Sequence, residues 1–192
     1  MFYYIAKYIV LFIIKILFKI HIENIENIPK EGPIIICPNH ISLLDPPVIG
    51  ALLNRRIYFM AKSELFKNPI LGFILKNGFG AFPVKRDKPD LTAIKTALKH
   101  LKNGHAICIF PEGTRSKTGN LQKAEPGASL LSAKAHAPVI PIGINGNYKL
   151  FSNIIIKVGK PIHPDNFSNG HISQQNMAQI GEIIMNEISK LL

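Results

Sequence analysis

Apolar residues run almost without a break from Phe2 to Ile20, interrupted only by Lys7, Lys15 and Lys19. On a helix those three lysines fall within about a third of the circumference, so the segment predicts an amphipathic helix. They break the apolar run well short of the ~20 residues that span a bilayer, and Tyr3, Tyr4 and Tyr8 suit a membrane–water boundary. The expectation is a membrane-interfacial helical segment over residues 1–24, followed by one domain over residues 25–192. An ordinary helix packed on the domain is the other reading of the same stripe. A secretory signal fits poorly, because its charge should precede the apolar stretch and a small-residue cleavage site should follow.

Beyond Gly32-Pro33 the period changes. Ile34 to Cys37 reads as a buried strand that stops at Pro38 and delivers Asn39 and His40 into a loop. Helical signals run from Pro47 to Leu53, an extended segment from Arg56 to Ala61, and an apolar stretch from Leu65 to Leu75 with Pro69 near its start, before Gly78 and Gly80 mark a turn. Asp90 is an N-cap for a helix through Leu101, whose Ile94, Ala97, Leu98 and Leu101 share a face. A second buried strand, Ala106 to Phe110, opens into a polar loop, Pro111 to Ser116. A helix from Gly127 to His136, strands Val139 to Ile144 and Ile154 to Val158, and a terminal helix from about Ser173 complete the alternation. The pattern predicts an α/β fold with a mixed, partly parallel sheet flanked by helices.

Composition narrows the partner. A chain of 192 residues suits a single domain, and neither a repeat nor a linker divides it. Its net charge of +11 favours an anionic partner. With no Trp and with basic residues scattered among apolar runs, nucleic acid is a poorer fit than lipid or phosphate. Cys37 and Cys108 sit inside apolar strands, where they read as core residues in a reducing setting.

The chemistry concentrates after two strands. In Asn39-His40-Ile41-Ser42-Leu43-Leu44-Asp45-Pro46 a histidine and an aspartate stand five positions apart, and Pro46 predicts that Asp45 stays out of helical geometry and folds back. An Asp that accepts from one imidazole nitrogen leaves the other free to take a proton from an alcohol. The second loop, Phe110-Pro111-Glu112-Gly113-Thr114-Arg115-Ser116, carries a carboxylate, two hydroxyls and a guanidinium that can grip phosphate bidentately. In an open α/β sheet both loops meet in one crevice if their strands are neighbours. The remaining histidines lack metal-ligand spacing, so no metal is expected.

Taken in order, Asn39-His40-x4-Asp45, Gly80 to Arg86, Phe110 to Ser116 and Val139 to Ile144 resemble the four motifs of the glycerolipid acyltransferase family. The similarity covers approximately residues 30–162 and lies nearest the branch that acylates 1-acylglycerol 3-phosphate. The resemblance implies transfer of a fatty acyl group from a thioester to the free sn-2 hydroxyl of lysophosphatidic acid, giving phosphatidic acid, with neither a covalent acyl-enzyme nor a cofactor. It implies His40 as base and Asp45 as its orienting partner. Arg86 and Arg115 would bind the acceptor's phosphate, Lys62 would assist, and Glu112, Gly113 and Thr114 would shape that site. The oxyanion stabilisers would be backbone amides of one of the two loops.

The chain departs from the family pattern at Glu125, where relatives often carry Lys before the next turn, and at Lys85, where they often carry Asp or Asn. Acyl carrier protein and coenzyme A thioesters both remain open as donors, because a basic surface attracts either. Other acceptors, such as glycerol 3-phosphate or another lysolipid, would use the same base and phosphate site. A catalytically silent anionic-lipid-binding protein is the rival from another class. The expected location is the cytoplasmic face of the cell membrane, peripheral or monotopic.

Overall fold

Strand β2 (Ile34–Pro38) is buried at every position, as befits a strand covered on both faces. Ile34 and Ile36 face one core cluster, whereas Ile35 and Cys37 face the other. The computed structural model describes residues 2–85, 89–116, 120–166 and 173–192. Among the described residues β2 is the central strand of a seven-stranded sheet in the order β1-β7-β6-β2-β5-β3-β4. They are β1 (Lys19–Glu23), β2, β3 (Ile57–Lys62), β4 (Phe82–Val84), β5 (Ala106–Cys108), β6 (Val139–Asn145) and β7 (Asn153–Val158). From β6 through β2, β5 and β3 to β4 every pairing is parallel; β7 runs antiparallel to β6, and β1 is parallel to β7.

Helices cover both faces, giving the expected α/β layering. On one side α1 (Phe2–Leu17) packs on α2 (Asp45–Leu52) and on the π-helical turn Ile74–Gly78 that continues α3 (Pro69–Phe73). On the other lie α4 (Leu91–Lys102), α5 (Gly127–Ala135) and α6 (Gln174–Leu191). Asp90 caps α4 as the sequence predicts, accepting from Thr92 N–H and Ala93 N–H at 3.0 Å each. Gly143 lets α6 close down on β6, since a Cβ there would lie 2.6 Å from Leu191 Cβ. Cys37 and Cys108 are free, buried thiols whose pKa values burial raises.

Three local expectations change. The N-terminal helix stops at Leu17, and Lys19–Glu23 is a sheet strand in register with Asn153–Lys157 rather than more helix. Asp45 does not stay out of helical geometry but is the first residue of α2, because Pro46 and Pro47 stand in the first turn, where their missing N–H groups would have no intrahelical partner. Lys7 turns inward, and its ammonium donates to the carbonyl of Leu53 at the C-terminal end of α2. Burial there lowers its pKa.

Among the described residues, no helix is long and apolar enough to cross a membrane. The outward face of α1 is nonetheless apolar: Tyr4, Ile5, Tyr8, Ile9, Phe12, Ile13 and Ile16 are all exposed. Phe2 meets Phe73 at 5.6 Å, so that face continues into the exposed Ile70, Phe73 and Ile74.

Candidate active site

Five parallel strands direct their carboxyl ends to one edge of the sheet, where open α/β sheets bind ligands. There β2 leads to His40, its neighbour β5 leads to residues 109–116, and β3 ends on Lys62. The expected meeting of the two loops is therefore met. Asn39 makes the exit from β2 definite. Pro38 ends the strand, and the Asn39 carboxamide continues the pairing with β6 by accepting from Ile144 N–H at 2.6 Å and donating to Ile144 carbonyl at 3.0 Å.

His40 is buried, and its ring stacks on Phe110 with centroids 3.9 Å apart and planes 25° apart. Its Nδ1 lies 2.8 Å from Asp45 Oδ2. A carboxylate oxygen accepts only, so Nδ1 is the donor in this contact and Nε2 is the ring nitrogen left over for another partner. The same Oδ2 accepts from Ile41 N–H at 2.8 Å and Ser42 N–H at 2.7 Å. Asp45 is 0% exposed and heads α2, where the helix dipole favours its charge. The chain from His40 to Asp45 is thus a closed loop around one carboxylate oxygen. Leu43 and Leu44 stand exposed at its tip.

Glu112 shapes the loop from inside. It is buried, its Oε1 accepts from the backbone N–H of His40 at 2.8 Å, and its Oε2 accepts from Gln122 N–H at 3.1 Å. It ties the two loops and the 120s segment together. A second tie runs from Ser116 N–H to the carbonyl of His40, 2.9 Å. Gly113 turns the chain with φ +68°, and a Cβ there would meet Glu125 Cγ at 2.9 Å.

Thr114 and Arg115 are exposed on this loop, free of the packing that encloses Glu112. Lys62 is half-exposed at the end of β3, 3.7 Å from Glu64. Arg86 lies outside the described residues. The backbone amides of His40, Ile41, Ser42, Gly113 and Ser116 all donate within the protein. Among the described residues no group of three or more His, Cys, Asp or Glu could hold a metal ion.

Chemically the edge offers an imidazole oriented by a carboxylate, a guanidinium and an ammonium at solvent, and exposed leucines in the loop between His40 and Asp45. Reading along the sequence found His40, Asp45 and the 110–116 loop but gave no role to Asn39 or to the Phe110 ring. Asn39 did carry a signal, a carboxamide directly after a proline-terminated buried strand.

A family model described as Acyltransferase matches residues 19–145. The 1-acyl-sn-glycerol-3-phosphate acyltransferase of Bacillus subtilis is 33% identical over 179 residues, 90% of this chain and 87% of that protein. A chloroplastic 1-acyl-sn-glycerol-3-phosphate acyltransferase of Arabidopsis thaliana is 33% identical over 159 residues, 76% of this chain and 44% of that longer protein. The crystal structure of the 1-acyl-sn-glycerophosphate acyltransferase from Thermotoga maritima superposes with a TM-score of 0.72 at 27% identity, covering 97% of this chain and 80% of that one.

Proposed function

The chain belongs to the acyltransferase family, and from that premise we propose that it acylates the sn-2 hydroxyl of 1-acylglycerol 3-phosphate from an acyl thioester, forming phosphatidic acid. The observation that carries the mechanism is the 2.8 Å contact between His40 Nδ1 and Asp45 Oδ2. His40 Nε2 takes the proton of the acceptor hydroxyl as its oxygen attacks the thioester carbonyl. The tetrahedral intermediate collapses, the C–S bond breaks, and the thiolate leaves with the proton returned from the imidazolium. Asp45 keeps the tautomer and stabilises the transient imidazolium without itself taking the proton.

Arg115 binds the acceptor's phosphate, with Lys62 and Arg86 adding charge and Thr114 a hydroxyl. The exposed Leu43 and Leu44 meet the apolar chain of the lipid beside the base. Glu112 and Gly113 act on this site by shaping the loop. The donor is an acyl thioester of carrier protein or coenzyme A.

The same reading puts the protein on a lipid surface, at the cytoplasmic face of the cell membrane, with residues 1–24 holding it there. What supports this is the exposed apolar face of α1 and its continuation through Phe73, together with a net charge of +11 that suits anionic headgroups. An acidic leaflet attracts each surface Lys or Arg by about 1 kcal/mol.

The test is acyl transfer by the purified protein in detergent or vesicles, with lysophosphatidic acid as acceptor and both thioesters as donors. Wild type should form phosphatidic acid with at least one donor, and His40→Ala should not. Wild-type turnover in His40→Ala would overturn the base assignment; a protein inactive with both donors but still binding lipid would overturn the acyl-transfer reading.

A further inference from the structure

A buried carboxylate is costly unless both of its oxygens find partners. In Asp45 the load is one-sided. Oδ2 accepts from His40, Ile41 and Ser42, while Oδ1, equally enclosed, completes no hydrogen bond. A second buried group is in the same condition: the hydroxyl of Tyr148, shut off from solvent and likewise without a completed bond. One is an acceptor in need of a donor, and the other is a hydroxyl with a proton to give. They are also neighbours. Burial first, then the charge of Asp45 and side-chain hydrogen bonding with it, push the phenol's pKa far up. Asp45 thus lies within reach of the phenol, and neither Oδ1 nor the hydroxyl has another partner.

The backbone carries an independent mark of constraint. Tyr148 has φ +52°, the left-handed region that side chains other than glycine occupy at a cost. The surroundings hold it there. Its ring meets Phe18 edge-on at 5.5 Å and 89°, and Phe18 is buried immediately after α1. Phe151 N–H donates to the carbonyl of Leu17 at 2.7 Å, fastening the β6–β7 loop to the end of α1.

We propose that Tyr148 is a positioning residue for the His40–Asp45 pair, its hydroxyl donating to Asp45 Oδ1 so that the carboxylate cannot rotate Oδ2 away from His40 Nδ1. This rests on the general-base reading above. Without the phenol the carboxylate turns more freely, and its charge, no longer shared, bears more strongly on the imidazole. Both effects fall on turnover, and the second favours imidazolium, so the base is lost to protonation at a higher pH.

Tyr148→Phe removes the hydroxyl and keeps the ring against Phe18. The expected result is a kcat lower by about tenfold, the rate equivalent of one hydrogen bond, with KM for both substrates nearly unchanged. The acid limb of the kcat profile should move up by roughly half a pH unit. In an Asp45→Asn background the same change should cost nothing further, because the partner is already gone. A wild-type kcat and acid limb in Tyr148→Phe would overturn the proposal. So would a lower kcat with an unmoved acid limb and a lower unfolding temperature, the signature of packing alone. His40→Ala separates the two readings: if it stays active, the base assignment falls and this role with it; if it is inactive while Tyr148→Phe behaves as wild type, only the role of Tyr148 falls.

Discussion

Replacing Glu112 with Gln decides whether that side chain contacts the acceptor or holds the loops. In the structure its carboxylate accepts from two backbone N–H groups, His40 at 2.8 Å and Gln122 at 3.1 Å, at a buried position. Hydrogen bonds to a charged group contribute about 1.5–3 kcal/mol each. A glutamine has the same shape but one acceptor oxygen, so it keeps one neutral bond worth about 1 kcal/mol and turns an NH2 toward the other N–H. The net loss is about 3 kcal/mol, which for a chain of this size lowers the unfolding temperature by roughly 6–12 °C. Because one of the two amides that Glu112 holds belongs to His40, kcat should fall as well, while KM for lysophosphatidic acid stays near wild type. Thermal unfolding and initial rates in the same detergent read both. An unchanged unfolding temperature with KM raised several-fold would refute the tie and return Glu112 to the acceptor-binding surface.

Aspartate at both Ile9 and Phe12, which point outward from α1, should weaken sedimentation with anionic vesicles by at least tenfold, since burying one such side chain contributes about 1.5–3 kcal/mol. Turnover of detergent-dispersed acceptor should persist, and undiminished vesicle binding would remove α1 from the lipid contact. His100 and His105 face each other across 3.2 Å between their Nδ1 atoms, and burial first, then neighbouring cations, lower both pKa values below the ordinary 6.5. The folded state therefore resists protons that the unfolded chain accepts, so their contribution is intact above about pH 6.5 and stability drops as pH falls below it. The doubly substituted His100→Gln, His105→Gln protein should lose less unfolding temperature between pH 7 and pH 5 than wild type; equal slopes would refute the assignment.

Strands β2 and β6 were legible because β2 and Val139 to Ile144 of β6 are apolar throughout and bounded by proline or polar residues, the mark of burial on both faces. Helix α4 was legible because Asp90 announces its start. Strand β1 was not, although Lys19-Ile20-His21-Ile22-Glu23 alternates cleanly: the apolar run before it continues into Ile20 and hides the change from a helical period to a period of two. At the site, His40 and Asp45 were legible because the contact closes over a short loop. The tie made by Glu112 spans from one motif to another, and the approach of Tyr148 to Asp45 crosses between separate loops, so neither leaves a local pattern. Pro46 misled because a proline disfavours helical geometry at its predecessor without forbidding it, and here both prolines stand in the first turn, where a helix tolerates them.

Lys19 pairs with Asn153 and Glu23 with Lys157, joining almost the first segment of the chain to almost the last strand. Such a contact closes a very large loop, and the entropy of that closure must be met before the pairing returns anything. During synthesis β1 has no partner strand until β7 has emerged. Pairing of β1 is therefore a late, long-range closure, and a chain released before residue 153 would carry an unpaired strand with an apolar helix attached, the combination most prone to aggregate.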